Sequence, residues 1–119
     1  MNNLQKTFRD KKVLITGHTG FKGSWLSLWL NKMGAETIGI SSDIPSKPSN
    51  FESSKLAEFM HDYRFELPDI VSLRNVLKKH KPDFIFHLAA QALVKESYES
   101  PTQTMIYNAI GSASILESL

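Results

Sequence analysis

Cysteine is absent from the chain of 119 residues. Its absence excludes disulfide bonds, thiolate-bound zinc and cysteine nucleophiles, and it fits a reducing compartment. An excess of charge of one sign is also missing, because 14 Lys and Arg face 12 Asp and Glu. The resulting net charge of +2 gives no argument for nucleic acid as a partner. No apolar run approaches the roughly 20 residues of a membrane span, and the first ten residues do not resemble a signal peptide, so we expect a cytoplasmic protein.

The strongest local pattern is a strand, a glycine-rich turn and a helix in direct succession. Residues 13–16 form a short, mainly apolar run of the kind found in buried parallel strands. Gly17, Gly20 and Gly23 follow, and the apolar residues within 25–30 then recur at helical spacing. This arrangement predicts free backbone N–H groups and the positive end of a helix dipole at one point, where a phosphate can bind.

Each of the three glycines has an expected role in such a turn. Gly17 allows the tight turn, Gly20 lets the backbone approach a pyrophosphate, and Gly23 permits close packing of helix on strand. With a second strand ending about 20 residues further on, the triplet indicates dinucleotide binding; a tight turn without a ligand is the alternative. The ATP-binding loop is excluded, because Lys22 precedes Gly23 rather than following it.

The rest of the chain alternates between strand-like and helix-like patterns. Further elements are predicted in the order strand, weak helix, strand, helix, strand and helix, at residues 36–40, 51–60, 63–65, 68–81, 84–90 and from 101 onward. This alternation predicts an α/β fold with a doubly wound parallel sheet, in a single domain. We place Trp25 and Trp29 in the core, because large aromatic side chains dominate cores.

The end of the second predicted strand bears on the choice of dinucleotide. NAD-binding proteins of this class place an acid there to contact the ribose hydroxyls. Asp43 is the only acid available and lies slightly late in the loop, where a solvated aspartate is the alternative. No arginine follows the strand and Lys47 is the only nearby cation, so the sequence favours NAD over NADP.

Residues 16–30 (TGHTGFKGSWLSLWL) resemble the extended short-chain dehydrogenase/reductase family, which includes NAD-dependent nucleotide-sugar epimerases and dehydratases. Most relatives carry Gly-Ala-x-Gly-Phe-Ile-Gly in the turn. His18, Thr19 and Lys22 instead resemble the branch of dehydratases that acts on CDP-glucose. Two later segments agree with the resemblance, which covers nearly the whole chain: FHLAAQ at 86–91 and NAIGS at 108–112.

The resemblance implies a Rossmann-like sheet of strand order 3-2-1-4, with residues 1–119 as the N-terminal part of an NAD-binding domain. In the family, an Asp followed by a hydrophobic residue contacts adenine, and Glu66 and Leu67 occupy that place. The exchange of Asp for Glu is expected to alter the adenine contact. For Asn108, which matches an asparagine of the central helix, a capping or solvent-facing role is the alternative. The implied cofactor contacts lie in the turn, after each later strand and on the central helix: Gly17, His18, Thr19, Gly20, Phe21, Lys22, Gly23, Asp43, Glu66, Leu67, Leu88, Ala89, Ala90, Gln91 and Asn108.

The reaction implied by the resemblance is an internal redox elimination. NAD takes hydride from C4 of CDP-glucose, water leaves across C5–C6, and hydride returns to C6 to give CDP-4-dehydro-6-deoxyglucose. In the family, a Tyr-x-x-x-Lys pair with a nearby Ser or Thr performs the oxidation. Tyr63, Tyr98 and Tyr107 all lack a lysine at that spacing. We therefore predict no catalytic residue in this chain, and we expect the catalytic segment and the nucleotide-sugar domain to lie outside it.

The histidines and the fourth strand give the remaining predictions. His61 and His80 are expected at the surface and His87 as a strand residue rather than a base, and the histidine spacing predicts no metal site. Residues 84–87 are expected to form an exposed apolar edge, which favours self-association, as a homodimer in the family.

Two other functions remain open at this point. One is a related NAD(P)-dependent sugar epimerase or reductase, since the same scaffold supports all of these activities. The other is a non-catalytic module that binds a dinucleotide or only associates with itself.

Overall fold

A four-stranded parallel sheet forms the centre of the computed structural model, which describes all 119 residues. Its strands are β1 (Lys12–Thr16), β2 (Glu36–Ser41), β3 (His61–Arg64) and β4 (Phe84–His87). They lie in the order β3-β2-β1-β4, and every neighbouring pair is parallel. The predicted α/β class and the strand order 3-2-1-4 are confirmed.

Helices connect the strands and cover both faces of the sheet. They are α1 (Asn3–Phe8), α2 (Phe21–Lys32), α3 (Asn50–Ser53), α4 (Ile70–His80), α5 (Val94–Glu99), α6 (Pro101–Met105) and α7 (Gly111–Ser118). A 3₁₀ turn at Leu56–Glu58 precedes β3, and a π-helical segment at Ile106–Ile110 joins α6 to α7. None of the helices combines the length and hydropathy that a membrane crossing requires.

Two apolar clusters lie on opposite faces of the sheet. Side chains alternate between the faces along β1, so Leu14 belongs to one cluster while Val13 and Ile15 belong to the other. The first cluster consists of Leu14, Ile38, Ile40, Leu67, Leu73, Val76 and Ile115. The second consists of Val13, Ile15, Leu30, Met33 and Ala35. Both faces are covered, as a parallel sheet requires.

The prediction that Trp25 and Trp29 lie in the core is wrong, because their exposed fractions are 51% and 55%. Helix α2 instead buries Ser24, Ser27 and Leu30. The Ser27 hydroxyl donates to the carbonyl of Gly23 within the helix, so its polar group is satisfied when it is buried. The side of α2 with small residues faces the sheet, and the aromatic side remains at the surface.

Three predictions about residues at the margins of the sheet have different outcomes. His80 was expected at the surface, but it is buried, and its Nε2 lies 2.8 Å from the hydroxyl of Tyr63; the exposed position predicted for His61 is confirmed. Strand β4 is an edge strand as predicted. The ring of Phe8 packs on Phe84 and covers part of this edge, with ring centroids 5.1 Å apart.

Candidate cofactor-binding site

A cleft of about 610 Å³ opens at the carboxyl ends of the strands. Open α/β sheets bind their ligands at this edge, and the volume lies within the range of small-molecule sites, roughly 300–1,000 Å³. Its walls are the glycine turn, the end of β2 and the segments that follow β2, β3 and β4, with one residue from the π-helical segment: Gly17, Thr19, Gly20, Ile40, Ser41, Ser42, Asp43, Pro45, Phe65, Glu66, Leu67, Leu88, Ala89, Ala90, Gln91, Ala92, Leu93, Glu96 and Tyr107.

The three glycines of the turn have different surroundings. Gly17 has φ +76°, and a Cβ there would lie 2.9 Å from the nitrogen of Ala89. A Cβ on Gly23 would lie only 2.0 Å from the oxygen of Gly17. A Cβ on Gly20 would meet nothing closer than that same oxygen, at 3.4 Å. Gly17 and Gly23 are therefore required by packing within the protein, whereas Gly20 leaves open space on the cleft side of the turn.

The start of α2 supplies hydrogen-bond donors beside Gly20. Gly20 is the N-cap, and as a glycine it has no side chain that could accept from the first turn. The amide N–H groups of Phe21, Lys22 and Gly23 donate to no acceptor within the chain. With the positive end of the dipole of a 12-residue helix, these groups form a site suited to an anion such as phosphate.

The hydroxyl of Thr16 holds the segment after β4 against the turn. Its Oγ1 accepts from the N–H groups of Leu88 and Ala89 at 3.0 and 3.1 Å, and it lies 2.7 Å from Nδ1 of His87. Because Oγ1 accepts twice, its proton is directed to Nδ1, and His87 Nε2 then donates to the hydroxyl of Ser112 at 3.0 Å. Burial lowers the pKa of His87, which fits this neutral ring.

Asn108 holds the next part of the same cleft wall. Its Oδ1 accepts from the N–H of Gln91 at 2.8 Å, and its Nδ2 donates to the carbonyl of Gln91 at 3.0 Å. Asn108 lies in the π-helical segment, and such segments frequently occur at functional sites. Its side chain neither caps the helix nor faces solvent, but fixes the backbone of the loop that lines the cleft.

The side chain of His18 does not face the cleft. It is wholly buried, and Nε2 lies 2.7 Å from Oδ1 of Asp62 on β3. The ring packs edge-on against Phe51, with centroids 5.4 Å apart, and it occupies the space beside Gly39, where a Cβ would lie 2.3 Å from the ring. Burial lowers the pKa of His18. This residue of the turn therefore fastens the turn to β2 and β3.

The walls after β2 and β3 carry polar groups that face the cleft. Thr19 Oγ1 lies 2.6 Å from the hydroxyl of Ser41, and Asp43 is an exposed carboxylate on the same wall. On the other side, the hydroxyl of Tyr107 donates to Glu66, and this hydrogen bond raises the pKa of Tyr107. Both walls thus offer a carboxylate at the cleft surface.

The cleft brings together ten of the predicted site residues, which come from every predicted segment of the sheet edge: Gly17, Thr19, Gly20, Asp43, Glu66, Leu67, Leu88, Ala89, Ala90 and Gln91. Five others lie outside its lining: His18, Phe21, Lys22, Gly23 and Asn108. The side chain of Phe21 is among these and is 75% exposed.

Several lining residues were not predicted as site residues, among them Ser41, Ser42 and Tyr107. Ser41 and Ser42 could have been found, because they directly follow a predicted strand on the edge where the turn lies. Tyr107 carries no such signal, because its direction depends on the π-helical segment.

Comparisons with known proteins agree with this geometry. The family model for GDP-mannose 4,6 dehydratase matches residues 14–119. CDP-glucose 4,6-dehydratase from Salmonella typhimurium is 45% identical over 117 residues, covering 98% of this chain and 33% of that protein. GDP-mannose 4,6-dehydratase from Vibrio cholerae is 33% identical, covering 92% of this chain and 31% of that protein.

Solved structures show the same fold. The epimerase Mth375 from Methanothermobacter thermautotrophicus has a TM-score of 0.83 at 29% identity, over 96% of this chain and 33% of the other. UDP-glucose 4-epimerase from Thermus thermophilus, solved in complex with NAD, has a TM-score of 0.77 at 29% identity, over 90% and 33%. The chain spans about a third of the length of these relatives. The predicted family resemblance is confirmed, and the chain belongs to the GDP-mannose 4,6-dehydratase family of nucleotide-sugar epimerases and dehydratases.

Proposed function

We propose that this chain binds NAD in the cleft and forms the N-terminal part of the NAD-binding domain of a CDP-glucose 4,6-dehydratase. The observation that carries the proposal is the open face of Gly20 beside the three free N–H groups at the start of α2. A pyrophosphate is the anion that such a cradle suits in a fold of this class. The similar epimerase from Thermus thermophilus, solved with NAD, supports the choice of ligand.

The cleft residues suit the parts of a dinucleotide. We assign the pyrophosphate to the N–H groups of residues 21–23 and the adenosine ribose hydroxyls to Asp43. Glu66 and Leu67 are assigned to the adenine, and residues 88–91 to the nicotinamide side. His18 and Asn108 are assigned positioning roles: the side chain of His18 holds the glycine turn in place, and that of Asn108 holds the segment after β4 in place.

The chemistry of the proposed enzyme divides between this chain and residues outside it. When bound, NAD supplies a reversible hydride acceptor for the sugar. The residues of this chain hold and orient the cofactor, and the Thr16 and Asn108 contacts fix the wall against which it lies. No Tyr-x-x-x-Lys pair occurs in the 119 residues, so we assign proton transfer at the sugar to a further part of a longer polypeptide.

Calorimetry with NAD tests the binding proposal. We expect saturable binding by the chain, and Gly20→Ala should weaken it at least tenfold, because the added methyl group occupies the open face of the turn. Gly111→Ala is the matched control, since its Cβ makes only ordinary contacts, the nearest at 3.5 Å from Leu67. Unchanged affinity in a folded Gly20→Ala variant would contradict the assignment of the pyrophosphate.

The substrate is tested in a polypeptide that joins this chain to the rest of the enzyme. Incubation with CDP-glucose should yield the 4-keto-6-deoxy sugar nucleotide, detected by its mass and by its absorbance in alkali. The similarity to UDP-glucose 4-epimerases supports a second candidate, sugar epimerisation. An epimerase would instead return a nucleotide sugar of unchanged mass with inverted configuration at C4.

We also propose that the chain associates with itself. Strand β4 is an edge strand, and edges of this kind pair with other chains. Three apolar side chains along α6–α7 and the segment between them, Met105, Ile110 and Leu116, are each more than half exposed. Light scattering over a concentration series should show a dimer, and a monomer at the highest concentration would contradict the proposal.

A further inference from the structure

A second group of potential metal ligands lies at the amino ends of the strands, on the opposite side of the molecule from the cleft at their carboxyl ends. Glu36 is the first residue of β2, His61 is the first residue of β3, and His80 is the last residue of α4. One ligand atom from each of the three lies within 4.8 Å of the others. Nε2 of His61 is 3.1 Å from Oε1 of Glu36, and the centroids of the two imidazole rings are 4.6 Å apart.

The topology brings these residues together although they are far apart in sequence. Parallel strands begin at the same edge of a sheet, which places Glu36 near His61. The helix between two parallel strands returns the chain to that edge, so the end of α4 reaches His61 as well. The cluster is thus fixed by three elements of regular structure, which preserves its geometry better than loops would.

A neighbouring side chain orients His80. The hydroxyl of Tyr63 on β3 lies 2.8 Å from Nε2 of His80, and Nδ1 of His80 makes no hydrogen bond within the chain. Histidine ligands of metals commonly use their second nitrogen to bond an oxygen in this manner, which fixes the ring and its tautomer. Tyr63 therefore leaves Nδ1 of His80 as the nitrogen that is free for an ion.

The cluster is accessible on one side. The side chains of Glu36 and His61 are each 47% exposed, while His80 is buried beneath them. An ion can therefore enter from solvent and keep water in its remaining positions. Lys12 and Lys79 lie near His80 and repel a cation, so we expect weaker binding than at a closed structural zinc site.

We propose that Glu36, His61 and His80 bind one divalent transition-metal ion, with zinc as the best match. Two imidazoles and one carboxylate form a ligand set that zinc uses with water in the fourth position. The proposal does not depend on cofactor binding, because the cluster lies at the edge where the strands begin and the cleft lies where they end.

Calorimetry with zinc on the chelator-treated chain of 119 residues tests the site. We expect one zinc ion per chain. His61→Ala and Glu36→Gln should each lower the association constant at least tenfold, and Tyr63→Phe should lower it about tenfold through the loss of orientation. Glu99→Gln removes an exposed carboxylate on α5 and should leave binding unchanged. His61 and Glu36 are exposed, so their replacement should not disturb the core, and circular dichroism is used to check that both variants fold.

The four histidines of the chain provide an internal control by NMR. Imidazole nitrogen signals of His61 and His80 should shift on addition of zinc, while those of His18 and His87 stay in place. No binding heat at millimolar zinc, equal affinity in the wild type and both ligand variants, or shifts confined to His18 and His87 would each overturn the proposal.

Discussion

Nε2 of His18 lies 2.7 Å from Oδ1 of Asp62, which joins the glycine turn to the third strand of the sheet. Arg64 completes the group, since its Nε and Nη2 donate to the same carboxylate at 2.8 and 3.1 Å. Burial raises the pKa of Asp62, but the hydrogen bonds from Arg64 and His18 outweigh it and hold the pKa below its usual range. The position of the turn therefore depends on the hydrogen bond between His18 and Asp62, which lies outside the cleft and is supported by the ion pair of Asp62 with Arg64.

Asp62→Ala should destabilise the protein by about 1–3 kcal/mol, because it leaves the buried ring of His18 without its partner. Urea unfolding followed by circular dichroism measures the loss. Glu99→Ala is the control, since it removes a carboxylate whose nearest cation, on Lys95, is 3.9 Å away at the surface. Equal unfolding midpoints for the two variants would contradict a structural role for the pair.

Gly23→Ala should destabilise the fold by on the order of 3 kcal/mol, the upper part of the range for overpacking. The added Cβ would lie 2.0 Å from the oxygen of Gly17, and both groups belong to the backbone of the turn. Thermal unfolding of Gly23→Ala and Gly111→Ala measures the difference between a crowded and an ordinary site. A melting temperature equal to that of the wild type would show that the turn relaxes freely.

Thr16→Val should loosen the wall of the cleft that follows β4. The substitution keeps the shape but leaves the N–H of Ala89 without an acceptor, at a cost of about 1–3 kcal/mol. The N–H of Leu88 keeps only its hydrogen bond to the carbonyl of Thr16, at 3.2 Å. Hydrogen exchange at these two amides should become faster. Thr16→Ser keeps the hydroxyl and should preserve their protection, so faster exchange in both variants would argue against the role of Oγ1.

Stability should fall as the pH is lowered below about 6.5, the ordinary value for histidine. Burial lowers the pKa of His87 in the folded state, so the unfolded chain binds more protons between the two values. The contribution is complete above the unfolded pKa and decreases toward the folded pKa, by at most about 1.4 kcal/mol per pH unit for one group.

His87→Gln tests this origin of the pH dependence. The amide of glutamine can accept from Thr16 and donate to Ser112, as the imidazole does, but it does not titrate. Urea unfolding between pH 7 and pH 5 should therefore show a shallower decline than in the wild type. Equal slopes in the two proteins would assign the effect to other groups, among them His18.

The elements that the sequence predicted well are those with strong local patterns. The apolar run of β1 and the glycines after it specify a strand, a turn and a helix by themselves, and alternation of elements leads to the parallel sheet. No local sequence pattern predicts the direction in which a single side chain points. His18 belongs to the turn, yet its ring faces away from the cleft because the space beside Gly39 accommodates it.

Two further features could not be predicted from the sequence: which side of α2 is exposed to solvent, and which residues distant in sequence lie together. Apolar residues occur around much of α2, so their pattern does not reveal that the side with Ser24 and Ser27 packs on the sheet. The cluster of Glu36, His61 and His80 has no regular spacing in the chain. Only the strand register and the end of α4 bring these residues together.

The π-helical segment at Ile106–Ile110 changes the direction of the side chains within one continuous helix, which α6, this segment and α7 form together. Each residue of an α-helix turns the chain by about 100°, and a π-turn contains one residue more than an α-turn. Tyr107 can therefore line the cleft while Ile115 reaches the apolar core. A deletion of one residue within 106–110 would rotate one half of this helix relative to the other, so that Tyr107 and Ile115 would no longer both reach their present places in the cleft wall and in the core.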